Sequence, residues 1–208
     1  KSISKLTIPA EYLKLDLLKP LALDYFELSP GLEDESDETR SLIEQLERDH
    51  PELKQLILDY PMSPALLTSL CQKSNLEVLD LKVDELNMRH CEQLKNLPQS
   101  TQVRLFFESQ GQVDIIPLTM VPLHNIEKMD LRFKEPVQSF EGDELMANTI
   151  SEEFFEHMGQ NWSNLKELSL KGQRVLINMP LEYLENLQML EIEMFYSDLL
   201  FHHNSSTY

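Results

Sequence analysis

The sequence predicts an α/β repeat fold, in which short parallel strands lie side by side and helices or irregular segments return the chain along the outside. Three observations predict it: a phrase recurs, its aliphatic spacing suits one face of a strand, and candidate helices fall between its copies. The phrase is Asn, aliphatic, two spacers, aliphatic, one spacer, aliphatic. It reads Asn75-Leu76-Glu77-Val78-Leu79-Asp80-Leu81 and Asn164-Leu165-Lys166-Glu167-Leu168-Ser169-Leu170. Variants are Asn125-Ile126-Glu127-Lys128-Met129-Asp130-Leu131 and Asn186-Leu187-Gln188-Met189-Leu190-Glu191-Ile192. A Pro-initiated form is Pro51-Glu52-Leu53-Lys54-Gln55-Leu56-Ile57-Leu58. A repeat decides architecture before any local reading does.

Taken in order, the first strand is expected around Ile3, Leu6 and Ile8, and the second around Leu18, Leu21 and Leu23. The next two are anchored at Leu53 and Leu76. Gln102, with Leu105 and Phe107, anchors a fifth, and Ile126, Leu165 and Leu187 anchor the last three. The steps between first slots are 15, 35, 23, 26, 24, 39 and 22 residues. The first is too short for a full unit, and the steps of 35 and 39 require insertions or longer convex segments. One unit cannot bury its own apolar face, whereas stacked units build a continuous core. Parallel pairing explains the long crossovers.

Helices are expected outside the strands. Thr39 to Asp49 places Leu42, Ile43 and Leu46 on one face, with Pro51 beyond as a stop. Ser63 caps, with Pro64 at the first helical position, a helix over Ala65 to Gln72. Asp84 to Leu97 carries an apolar stripe closed by Pro98. Thr149 and Glu152 are spaced as a capping box for Ser151 to Met158, with Gly159 as the stop. Two stretches read as loops: the acidic run Glu33 to Glu38, and Lys134 to Asn148.

The phrase resembles the strand segment of leucine-rich repeats. In the regular form of that family an Asn follows the third aliphatic by three positions. Pro61, Asp84, Lys134, Gln173 and Phe195 stand there instead. The resemblance is therefore to the irregular, helix-backed repeats of F-box proteins and similar intracellular adaptors. It implies a single leucine-rich-repeat solenoid over residues 1–208, with parallel strands on the concave side and helices and irregular segments on the convex side. It also implies a non-catalytic domain that recognises a substrate protein for a ubiquitin ligase of the F-box type. No F-box motif is evident, and the chain opens on Lys1, so a fragment of a longer protein is expected. Two other readings stay open: a scaffold subunit of a nuclear or cytoskeletal assembly, and an acidic binder of basic proteins such as histones.

Composition narrows the classes. With 36 acids against 18 bases, the net charge is −18, which argues against direct nucleic-acid binding, since phosphate contact needs a basic face. Such a charge supplies solubility and suits a basic partner. No apolar run is long enough to span a bilayer. Cys71 and Cys91 form no C-x-x-C pair, and two buried free thiols inside a cell are expected. Asn161 and Asn204 open short glycosylation-type sequons, which arise by chance.

Catalytic patterns are missing from the sequence. The six histidines lack metal-ligand spacing, the five glycines are isolated, and no nucleophile motif appears. No metal, cofactor or enzymatic activity is therefore expected.

Strand alternation points the residue between the second and third aliphatics away from the core. That column reads Thr7, Ala22, Ile57, Asp80, Phe106, Asp130, Ser169 and Glu191. Flanking positions include Asp59, Lys82, Arg104, Glu108, Lys128, Arg132, Lys171 and Glu193. Apolar groups amid charges suit a protein-binding face. The candidate binding residues are Ile57, Asp59, Asp80, Lys82, Arg104, Phe106, Asp130, Arg132 and Glu191.

Overall fold

The structure is a computed structural model. It describes residues 4–9, 21–29, 41, 44–46, 48–61, 64–71, 75–83, 86–99, 101–108, 113–134, 149–172, 174–175 and 181–193. Ten strands are described: β1 Lys5–Pro9, β2 Tyr25–Ser29, β3 Gln55–Pro61, β4 Val78–Val83, β5 Thr101–Phe107, β6 Ile126–Phe133, β7 Thr149–Ile150, β8 Glu167–Lys171, β9 Arg174–Val175 and β10 Met189–Glu193. Helical residues 41, 44–46 and 48–49 form α1. The other helices are α2 Pro64–Cys71, α3 Met88–Leu94, α4 Ile116–Thr119 and α5 Glu152–Asn161, with a 3-10 turn at Leu181–Tyr183.

Eight strands form one parallel sheet in the order β1-β2-β3-β4-β5-β6-β8-β10, with an edge at each end. β7 and β9 leave it and pair with each other, also in parallel. The fold is thus an open, sequentially ordered parallel α/β sheet. Inward side chains stack across it in register. One row runs Leu6, Phe26, Leu56, Leu79, Val103, Met129, Leu168, Leu190, and the next runs Ile8, Leu28, Leu58, Leu81, Leu105, Leu131, Leu170, Ile192.

Strand alternation puts these residues on one face, where the helices supply the second layer. Leu67, Leu70 and Cys71 of α2, Cys91 and Leu94 of α3, Leu118 of α4, and Phe154, Phe155 and Met158 of α5 join the same buried core. Phe107 and Phe133, register partners on β5 and β6, stack with ring centroids 4.9 Å apart. Phe154 meets Trp162 edge-on. Cys71 and Cys91 are buried free thiols, and burial pushes both up to about 12.

The recurrent Asn has a structural cause. Asn75 Nδ2 donates to the Pro51 carbonyl at 3.2 Å, Asn164 to that of His124 at 2.5 Å, and Asn186 to that of Ser163 at 2.7 Å. In all three cases the acceptor lies two residues before the first aliphatic of the neighbouring strand. Asn125 donates instead to Leu94 and Leu97, at 3.0 and 2.9 Å, closing the carbonyl end of α3. Each Asn ties its unit to the previous one by bonding turn carbonyls that the strand ladder leaves free.

Several expectations are corrected. β2 starts later: Leu23 takes the first slot, followed by Phe26 and Leu28, all buried. Ala22 lies before the strand, and Glu27 takes its place in the outward column. The step between matched positions on β1 and β2, Leu6 to Phe26, becomes 20 residues, a full unit. β5 is displaced by two residues, so Arg104, not Phe106, stands opposite Asp80 and Asp130. Its first slot holds Thr101, wholly buried, with its hydroxyl 2.8 Å from both the Leu76 and Pro98 carbonyl oxygens. A hydroxyl bonded to backbone substitutes there for an aliphatic.

α3 begins at Met88 rather than Asp84 because the Asn87 side chain accepts the Arg89 and His90 N–H groups, at 3.0 and 3.2 Å. The Asn87 N–H in turn donates to His90 Nδ1, completing a capping box. α5 is capped by Ser151, whose Oγ accepts from Phe154 N at 3.4 Å, and it runs through Gly159 to Asn161. Thr149 belongs to β7. Leu18, Ser63, Asp84, the Glu33–Glu38 run and residues 135–148 lie outside the described residues.

Candidate functional site: the open face of the sheet

The sheet face opposite the core carries the outward residues of every main-sheet strand. Each of the nine candidate residues lies on this face. Eight are half-buried and Glu191 is exposed. The corrected central column reads Thr7, Glu27, Ile57, Asp80, Arg104, Asp130, Ser169, Glu191. Phe106 sits one row along, between Lys82 and Arg132.

The charges are tied together across strands. Arg132 Nη2 lies 2.9 Å from both carboxylate oxygens of Asp80, reaching from β6 over β5 to β4. Its Nε is 3.4 Å from Asp130, and Arg104 is 3.7 Å from Asp80. Asp80 is thus held by two guanidiniums and Arg132 by two carboxylates. Lys82 bridges Asp59, at 3.6 Å, and Glu108, which also lies 3.6 Å from Lys134. Burial works against the charged form of Lys82, but the Glu108 and Asp59 carboxylates outweigh it and hold its pKa above the ordinary 10.5. The hydrogen bond from Lys82, with its charge, holds Glu108 below the usual carboxylate value despite partial burial.

The two ends of the face are built differently. At the N-terminal end the Tyr25 hydroxyl donates to Glu27 at 2.6 Å, Thr7 donates to the same oxygen at 3.0 Å, and Lys5 stands over the Tyr25 ring. Burial, then the bond to Glu27, pushes the Tyr25 phenol up to about 12. At the C-terminal end Lys171 reaches Glu191 at 3.2 Å and Glu193 at 3.7 Å. Its hydrogen bond lowers the Glu191 pKa, with Ser169 adding to the effect, and raises its own.

These pairs make the face nearly neutral. It presents Lys5, Lys82, Arg104, Lys128, Arg132, Lys134 and Lys171 against Glu27, Asp59, Asp80, Glu108, Asp130, Glu167, Glu191 and Glu193. Almost the whole excess of −18 therefore lies elsewhere in the chain. The strand column alone does not show this, because cross-strand pairing needs the register. Tyr25 and Glu27 escaped the sequence reading because an aliphatic-only pattern skips Phe26. Admitting Phe at the second slot would have found them.

Chemically the face offers charges already paired across strands around the half-buried side chains Tyr25, Ile57 and Phe106. Among the described residues no group of three or more His, Cys, Asp or Glu is arranged to hold a metal ion. No described helix is long and apolar enough to cross a membrane. No protein-family model, curated protein or solved structure matches the chain.

Proposed function

We propose that this chain is a non-catalytic protein-binding domain, a solenoid of the leucine-rich-repeat kind that receives a partner protein on its open sheet face. One observation carries the reading. A continuous face holds Tyr25, Ile57 and Phe106 among charges already locked by Asp80, Arg104, Asp130 and Arg132. Groups fixed before binding lose little freedom when a partner arrives, which leaves more of the contact energy for affinity. Apolar centres ringed by polar groups are also where binding energy concentrates.

The irregular repeat phrase and the helix-backed parallel strands support the resemblance to F-box repeat domains. On that basis the partner is a substrate protein brought to a ubiquitin ligase. The alternative of a scaffold subunit is separated by experiment. A photo-reactive aromatic residue replacing Phe106 in the full-length protein is cross-linked in its native cells, and the captured protein is identified. Substrate recruitment predicts that this protein accumulates when the chain is removed. A scaffold predicts stoichiometric subunits whose levels fall with it. Absence of any cross-link from Phe106, with capture elsewhere on the surface, would reject the open face as the binding site.

A further inference from the structure

Outside the open face, one groove combines an apolar floor with uncompensated charge. It lies on the helix side between the C-terminal half of α5 and the 3-10 turn Leu181–Tyr183, and encloses about 360 Å³. Trp162, Leu165, Leu184 and Leu187 line it. Tyr183 stands exposed on one wall. The groove is narrow because Gly159 lets α5 approach the Tyr183 backbone; a Cβ there would overlap the Tyr183 carbonyl.

Two carboxylates line the groove. Glu182 and Glu185 line one wall, and both are exposed. On the other wall α5 contributes Gln160, with Glu156 one turn before it on the helix. Gln160 lines the groove and donates to Glu156 at 3.5 Å. Among the described residues none of Glu152, Glu156, Glu182 and Glu185 is in an ion pair, although the open-face acids beside Arg104 and Arg132 are. The groove thus joins unpaired carboxylates to an apolar lining.

We propose that this groove is a second docking site, for a short basic peptide segment that places one large apolar side chain over Trp162 and Leu187 and sets Arg or Lys against Glu182 and Glu185. Charge complementarity selects the occupant: a cationic segment gains from the unpaired carboxylates Glu182 and Glu185 that line the groove, and an acidic or neutral one does not. A second copy of this chain is disfavoured by the repulsion of two bodies of net charge −18. The site does not depend on the open-face reading.

The chain's single tryptophan reports occupancy directly, since Trp162 lines the groove. The probe is a short synthetic peptide with one Leu flanked by arginines, titrated into the full chain at low salt and followed by tryptophan fluorescence. Two control peptides replace the arginines by glutamates or the Leu by Ser. The arginine–leucine peptide is expected to bind saturably, and both controls to bind at least about tenfold more weakly. The Glu182→Gln/Glu185→Gln variant is expected to weaken the arginine–leucine peptide by about tenfold, because two exposed charges each contribute a few-fold. Circular dichroism confirms that its fold is intact.

Phe106→Ala on the open face is expected to leave this binding unchanged, which separates the groove from the proposed function. An equal loss on neutralising the exposed Glu44 of α1 and Glu92 of α3, which are unpaired among the described residues and do not line the groove, would show bulk electrostatics only and overturn the proposal. So would a tryptophan signal that shifts with protein concentration without peptide, which would assign the groove to a second copy. No response to the arginine–leucine peptide would overturn it as well.

Discussion

The units at Leu76 and Leu187 begin with the same phrase, yet they end in different surroundings. In the interior unit Leu76, Leu79 and Leu81 are at most 1% exposed. In the terminal unit Leu187, Leu190 and Ile192 are only half-buried, and Met189 is 50% exposed. Among the described strands β4 has a neighbour on each side, whereas β10 stands at the end of the sheet beside β8. The difference shows that the phrase specifies a strand and its inward face, while the neighbours supply the burial. That is the expected behaviour of stacked units whose stability is shared between adjacent ones.

The comparison is broken most severely by deleting core volume. Leu79→Ala is expected to cost about 2–5 kcal/mol, because it empties a fully packed site. Leu190→Ala should cost less than half as much, since a half-buried side chain gives up less apolar contact and leaves a gap that water can reach. Urea denaturation of the two variants measures both. Equal losses would mean that the terminal unit is as enclosed as the interior one.

The asparagine ties sharpen the same contrast at smaller magnitude. Asn125 is half-buried and donates to two carbonyls, so Asn125→Ala is expected to cost about 1–3 kcal/mol. Asn186 is exposed and makes one such bond, so Asn186→Ala should cost about 0.5 kcal/mol or less. Thermal unfolding of the two variants tests the ordering.

The ion pairs give the smallest effect and a pH signature. Glu108 has a depressed folded pKa, so its contribution is present above the ordinary 4.5 and is lost as pH falls through the folded value. Lys82 has a raised folded pKa, so its contribution is present below 10.5 and is lost as pH rises through the folded value. A Lys82→Met/Glu108→Gln double-mutant cycle is therefore expected to show a coupling of up to about 1 kcal/mol at neutral pH, fading toward both extremes. Lys171 and Glu191 shift in the same directions at the exposed end of the face. Solvent screens that pair, and the cycle on it is expected to show a smaller coupling.

The same contrast between phrase and surroundings explains what the sequence could reveal. Strands opened by Asn or Pro were legible, since the initiating residue and three aliphatics leave little freedom in register. β2 and β5 were misplaced because other chemistry fills their slots: the Phe26 ring serves as the second aliphatic, and the Thr101 hydroxyl replaces the first by bonding to backbone. The nine candidate residues were correctly assigned to the outward face, because a two-residue slip preserves strand parity. Their pairing was not legible, since Arg132 reaches Asp80 across an intervening strand. Nor was the groove, which joins Gly159 and Trp162 to Tyr183 from a later unit. Gly159 reads locally as a helix stop, but close packing against Tyr183 accounts for it.

Register is the central claim, since it decides which side chains share the open face, and paired cysteines test it directly. Val78 and Gln102 are register partners on β4 and β5, whereas the slipped alignment would place Val78 beside Arg104. Adjacent strands bring partner Cα atoms within disulfide range, about 4.4–6.8 Å. The native thiols Cys71 and Cys91 are buried and raised to about 12, so they should not compete under mild oxidation. Val78→Cys/Gln102→Cys is expected to close rapidly to an intramolecular disulfide in the folded protein, whereas Val78→Cys/Arg104→Cys is expected to remain largely reduced. The opposite result, with Arg104→Cys closing and Gln102→Cys staying reduced, would contradict the register and the face built on it.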